Sequence, residues 1–126
     1  MIKQVLFVGF GGALGSVLRF LTSTLTAKYY SGSFPFATFA VNITGCFLIG
    51  IFMGAFGQDN LANQNVRFFF ATGFCGGYTT FSAFAFENLN LLRDNSPWPA
   101  ISYVAMSVLA GLAAVWLGAA VAKQIG

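Results

Sequence analysis

The chain alternates between four long apolar stretches and short polar ones. The apolar stretches run near Val5 to Leu25, Phe36 to Phe56, Val66 to Phe86 and Ala100 to Val121. Each reaches the roughly 20 residues that a helix needs to cross bilayer hydrocarbon. Between them lie "KYYSGSFP", "GQDNLANQN" and "LLRDNSPWP". Glycine, proline, asparagine and aspartate supply turn chemistry there, while Tyr29, Tyr30 and Trp98 suit the aromatic belts of the membrane interfaces. The pattern predicts an all-α membrane protein, a single domain over residues 1–126 with four transmembrane helices per chain.

Composition agrees: 7% of residues are charged, against about 25% in soluble domains. Lys3 flanks the first stretch as in a signal peptide. That stretch is long, holds Arg19 and lacks a clear small-residue cleavage site, so it reads as retained. The net charge of +3 is spread over loops and termini without a basic face, which excludes nucleic acid as the expected partner. Cys46 and Cys75 fall inside spans and there is no histidine, so they read as small packing residues rather than as a zinc site or disulfide framework.

Lysine and arginine near span ends set membrane orientation. With four spans, Lys3, Arg67 and Lys123 share one side and Lys28 and Arg93 the other, and Arg19 snorkels toward the Lys28 side. The bias is close to nil. A chain without bias inserts both ways, and oppositely inserted copies pair about an axis in the membrane plane, so an antiparallel, dual-topology homodimer is expected. Small residues recur at Gly11 and Gly15, at Gly50 and Gly54, and along Ala110, Ala114, Gly118 and Ala122, as helix-packing seams whose partners the sequence leaves open.

Polar groups inside spans must find partners or face water, which makes them the first candidates for function. Thr38 and Asn42 share a face of the second span. Asn42 suits either an interhelical hydrogen bond or an anion. In the third span Gly73, Gly76 and Gly77 precede Tyr78, Thr79 and Thr80, so the third helix is expected to be broken at this Gly/Thr stretch, with a gentle kink or close packing as the alternative. The threonines can also bond back to their own helix. Phe81, Phe84 and Asn88 then share a face, and a phenyl ring presents a positive edge that can touch an anion without trapping it. Glu87, the one acid inside a span, either pairs with Arg19 or Arg93 or carries protons. Ser102, Tyr103 and Ser107 complete the set, with Tyr103 and Ser107 on one face of the fourth span.

Together "GGALGSVLRF", "PFATFAVNITGCFLIG" and, above all, "GFCGGYTTFSAF" resemble the small fluoride channels of the Fluc or CrcB family along the whole chain. The resemblance implies a dual-topology homodimer in the bacterial inner membrane that carries fluoride passively out of the cytoplasm for fluoride resistance. It implies ring edges of Phe81 and Phe84 facing fluoride, Asn42 donating to it, and Ser82, Thr38, Tyr103 and Ser107 as polar positions near the path. It further implies a structural sodium ion on main-chain carbonyls of Gly76 and Thr79 from both subunits, with Arg19, Glu87 and Thr80 as vestibule or polar support. Ala83, Ala37 and Gly111 depart from the family, which commonly carries a hydroxyl, a glycine and, in some relatives, a serine there. The rival reading is a small proton-coupled multidrug exporter using Glu87, although the first span carries Arg19 where such an exporter would carry its acid. An accessory subunit would leave the Gly/Thr stretch without a purpose. An enzyme is not expected, since there is no histidine, no acid pair at one site and no base beside either cysteine.

Overall fold

The computed structural model describes residues 1–58 and 60–125; Asp59, in the second polar loop, and Gly126 lie outside the described residues. All the regular structure among the described residues is helical. Helix α1 spans Ile2–Tyr29 and α2 spans Phe36–Ala55, opening directly after Pro35. A short α3, Leu61–Val66, leads into a π-helical stretch, Arg67–Cys75, and one α turn, α4, Gly76–Tyr78. Helix α5 covers Phe81–Arg93 and α6 covers Pro97–Ile125. Among the described residues three helices, α1, α2 and α6, are long and apolar enough to cross a membrane. The protein is a multi-pass membrane protein.

Local chemistry sets the boundaries. Residues 61–65, read above as loop, are helical because Asn60 caps them, its Oδ1 accepting from the Asn63 amide at 2.8 Å. Between α5 and α6, Asn95 adopts a left-handed φ of 55°, the Asn95 amide donates to the Leu92 carbonyl, and the Ser96 amide donates to that of Leu91. This is the paired closure of a helix C-terminus, and Pro97 opens the next helix.

The small-residue seams acquire partners. A methyl on Gly11 or Gly15 would meet the carbonyls of Phe69 or Phe74, and one on Gly73 or Gly77 those of Val8 or Gly12. The first helix and the segment 67–78 thus approach backbone to backbone. Likewise Gly50 of α2 faces the Val115 carbonyl and Gly118 of α6 the Phe47 carbonyl. Without a hydrophobic drive between helices in lipid, such close contact is what holds them together. The glycines of the third segment keep helical backbone, and the helical path is left two residues later, at Thr79 and Thr80 (ψ 159° and 119°). The reason is their packing role: Gly73 and Gly77 are held against α1.

Tyr103 forms a buried cluster with Leu91 and Ala100, against which Phe34, Phe39 and Phe84 pack. Phe84 also borders a cleft of about 580 Å³ lined by α2, the third segment and α6.

Candidate functional site

The cleft is built around the two extended residues. Asn42, on α2, donates from Nδ2 to the Thr80 carbonyl at 3.1 Å and accepts at Oδ1 from the Thr80 amide at 2.8 Å. One side-chain amide therefore stands in for both backbone partners that Thr80 lost on leaving the helix. Thr80 Oγ1 in turn caps α5 by accepting from the Ala83 amide, and it lies 3.2 Å from Ser82 Oγ. Thr79 bonds back, its Oγ1 donating to the Cys75 carbonyl at 2.8 Å. On the α1 side Arg19 Nε donates to the Gly77 carbonyl at 3.0 Å, so the segment is held from two helices.

The α5 N-terminus is consequently fixed in space. Its first amides, those of Phe81 and Ser82, precede any intrahelical bond and form the positive pole of the helix. Phe81 and Phe84 stand one turn apart with ring centroids 5.8 Å apart and planes tilted by 41°. Phe81 is 79% exposed, while Phe84 is half-buried and meets the ring of Tyr103 at 4.9 Å. Asn42, Thr79, Thr80, Gly76, Phe81 and Phe84 all line the cleft. Ser107 reaches it from α6 with a buried Oγ that has no hydrogen-bond partner among the described residues.

Behind Phe84 lies a second polar group. Glu87 accepts from Thr38 Oγ1 at 2.7 Å and from Tyr103 Oη at 3.0 Å, one donor to each carboxylate oxygen. Thr38 and Tyr103, read from the sequence as separate hydroxyls, are thus a pair gathered on one carboxylate. Glu87 does not take Arg19 as its partner, because that guanidinium reaches the Gly77 carbonyl instead. Asn88 Nδ2 donates to the Phe84 carbonyl while its Oδ1 is buried without a partner among the described residues.

The predicted residues therefore fall into three places. Asn42, Thr79, Thr80, Gly76, Phe81, Phe84 and Ser107 gather at the cleft, with Ser82 at its exposed rim; Thr38, Glu87 and Tyr103 form the interior carboxylate group; Arg19 stands across the third segment. Sequence reasoning missed the Gly77 carbonyl as Arg19's acceptor, since a backbone acceptor leaves no mark in residue type. It also missed the link between Thr38 and Glu87, although each was a lone polar residue in an apolar span and needed a partner.

Comparison with known proteins supplies the context. A family model described as "CrcB-like protein, Camphor Resistance (CrcB)" matches residues 6–119. A protein of Flavobacterium psychrophilum named fluoride-specific ion channel FluC is 47% identical, over 98% of this chain and 100% of its own length. A protein of the same name from Azobacteroides pseudotrichonymphae is 45% identical over 94% of both chains. Fluoride-specific ion channel FluC 2 of Rhodococcus jostii is 48% identical over 90% of this chain and 94% of its own. With nearly the whole sequence matched at this level, the chain belongs to the CrcB-like family.

Proposed function

We propose that the protein is a fluoride-selective ion channel, letting fluoride leave the cytoplasm passively across the bacterial inner membrane. On this reading it is a transporter and not an enzyme. The names of its relatives give the ion, and the observation that carries the reading to particular residues is the Asn42–Thr80 pair. By holding Thr80 out of the helix, Asn42 turns the third membrane span into a broken one and aims the N-terminal pole of α5 at the cleft. An anion is favoured there by orphan amides and a helix dipole.

Fluoride is small and hard, and leaving water costs it heavily. A path must offset that cost with donors yet let the ion go. Asn42 has a second Nδ2 proton beyond the one given to Thr80, and the hydroxyls of Ser82 and Ser107 are further donors. The Phe81 and Phe84 ring edges supply weak positive charge without a tight contact. Thr38, Tyr103 and Glu87 extend this polar line behind Phe84, and Arg19 and Thr80 support its geometry.

The reading includes an antiparallel homodimer with a sodium ion at its centre. The residues fit such an ion: the Thr80 amide goes to Asn42 and leaves the Gly76 carbonyl without its usual helical donor, and Gly76 is exposed with open space where a Cβ would stand. Carbonyls of Gly76 and Thr79 from one chain supply only part of an oxygen shell, so a second copy must complete it. When bound, the ion would supply positive charge between anion paths.

The test is fluoride efflux from liposomes holding the purified protein, read with a fluoride electrode, with chloride and a cationic dye as controls. Rapid, uncoupled fluoride release with chloride retained is expected. Dye movement driven by a proton gradient, without fluoride flux, would overturn the reading in favour of an exporter.

A further inference from the structure

The last turns of α1 and the start of α2 border a second, smaller groove of about 370 Å³, lined by Leu25, Thr26, Tyr29, Tyr30 and Phe36. Its depth in the bilayer follows from helix length. With 28 residues at about 1.5 Å each, α1 is about 42 Å long, close to a whole bilayer with its headgroups. Its C-terminal turn therefore lies at headgroup level, and Leu25, one turn deeper, at the edge of the hydrocarbon. Gly32 shapes one wall, because its missing Cβ leaves room for the Tyr30 hydroxyl, and the Tyr30 ring meets Phe36 at 5.8 Å between centroids. The groove is apolar within and polar at its rim. The Lys28 ammonium stands 5.9 Å from the centre of the Tyr29 ring and pairs with no carboxylate among the described residues. The hydroxyls of Thr26, Tyr29 and Tyr30 likewise have no hydrogen-bond partner among them.

We propose that this groove binds one anionic diacyl phospholipid, with an acyl chain along Leu25, Thr26 and Phe36 and the phosphate meeting the Lys28 ammonium and the tyrosine hydroxyls. Charge complementarity selects the occupant. A cation without a carboxylate partner, beside phenolic donors, favours an anionic headgroup, and one lysine near the membrane surface is worth about a fivefold preference for anionic lipid. The apolar lining calls for hydrocarbon on the same molecule, which a free phosphate lacks. Tyrosines suit this boundary, with the ring against the chains and the hydroxyl among the headgroups. The groove shares no lining residue with the cleft, so the inference does not rest on the fluoride reading.

The experiment offers the purified full chain in detergent equal amounts of phosphatidylglycerol and phosphatidylcholine with identical acyl chains, and counts retained lipid by native mass spectrometry. The wild type should keep phosphatidylglycerol in preference, one per chain, and inorganic phosphate should not displace it. Lys28→Gln should weaken that retention about fivefold and remove the preference, whereas Lys3→Gln, at the opposite end of α1, should change neither. Thr26→Phe should fill the groove and lower retention of both lipids with Lys28 intact. Equal retention of the two lipids by the wild type would overturn the site. Equal losses in Lys3→Gln and Lys28→Gln would also overturn it, in favour of general attraction to basic helix ends, and displacement by phosphate would leave an anion contact without a lipid site.

Discussion

Asn42 shows how much one side chain can determine. Its amide carries both hydrogen bonds of the Thr80 backbone, so Asn42→Ala leaves two partly buried groups unpaired. At about 0.5–1.5 kcal/mol for each bond, the substitution should lower thermal stability measurably while the helices persist. Fluoride efflux should fall at least about tenfold, a modest loss for a path robbed of a donor worth some 1.4 kcal/mol. Wild-type efflux from a folded Asn42→Ala protein would remove Asn42 from the path. Glu87 gives the opposite balance. Two hydroxyls donate to its carboxylate, and Glu87→Gln replaces one accepting oxygen with a donor, leaving Thr38 or Tyr103 without an acceptor. The expected result is a melting temperature lowered by the loss of about 1–3 kcal/mol, with part of the flux retained. Efflux abolished by Glu87→Gln alone, with Asn42→Ala and Phe81→Ile unaffected, would show that the path runs elsewhere.

Among elements, the α1 seam against the third segment makes the sharpest contrast. A methyl on Gly77 would collide with the Gly12 backbone, whereas one on Gly12 would find its nearest neighbour, the Gly73 carbonyl, at an ordinary 3.7 Å. Gly77→Ala should therefore destabilise by about 1–3 kcal/mol, as overpacking does, and Gly12→Ala should be tolerated. Thermal unfolding in detergent, followed by helical circular dichroism, separates the two; equal melting temperatures would contradict the seam. The same seam explains what could be read in advance. Hydropathy alone located α1, α2 and α6, because a run of about 20 apolar residues has few other uses. The third element was harder: a glycine cluster marks close packing and helix interruption alike, and here Gly73 and Gly77 pack while Thr79 and Thr80 depart. Asn42, Thr80, Phe81 and Phe84 were legible as polar or aromatic groups needing a purpose in an apolar span. The Arg19 bond to Gly77 was not, since it joins residues 58 apart through a backbone oxygen.

At the scale of the whole molecule, one chain presents two kinds of uncovered surface. Side chains such as Phe10, Leu109, Leu112 and Trp116 project from α1 and α6 and are suited to lipid. The face holding Phe81, Gly76 and Thr72 is different, since it opens on carbonyls, amides and hydroxyls that hydrocarbon cannot satisfy. On the proposed reading a second copy covers that face, in the opposed orientation expected from the charge pattern. Lys3, Arg67 and Lys123 balance Arg19, Lys28 and Arg93, so neither orientation is preferred. Adding two lysines at one terminus should force nearly all copies to insert with that end inside, and removing Lys3 and Lys123 should bias them the other way. Each variant expressed alone should then lose fluoride efflux for want of an opposed partner, and expressing the two together should restore it. Orientation is read by labelling a terminal cysteine from outside sealed cells, in a background where Cys46 and Cys75 are alanine. Full efflux from a variant held in a single orientation would show that opposed copies are not required and would rule out the antiparallel dimer.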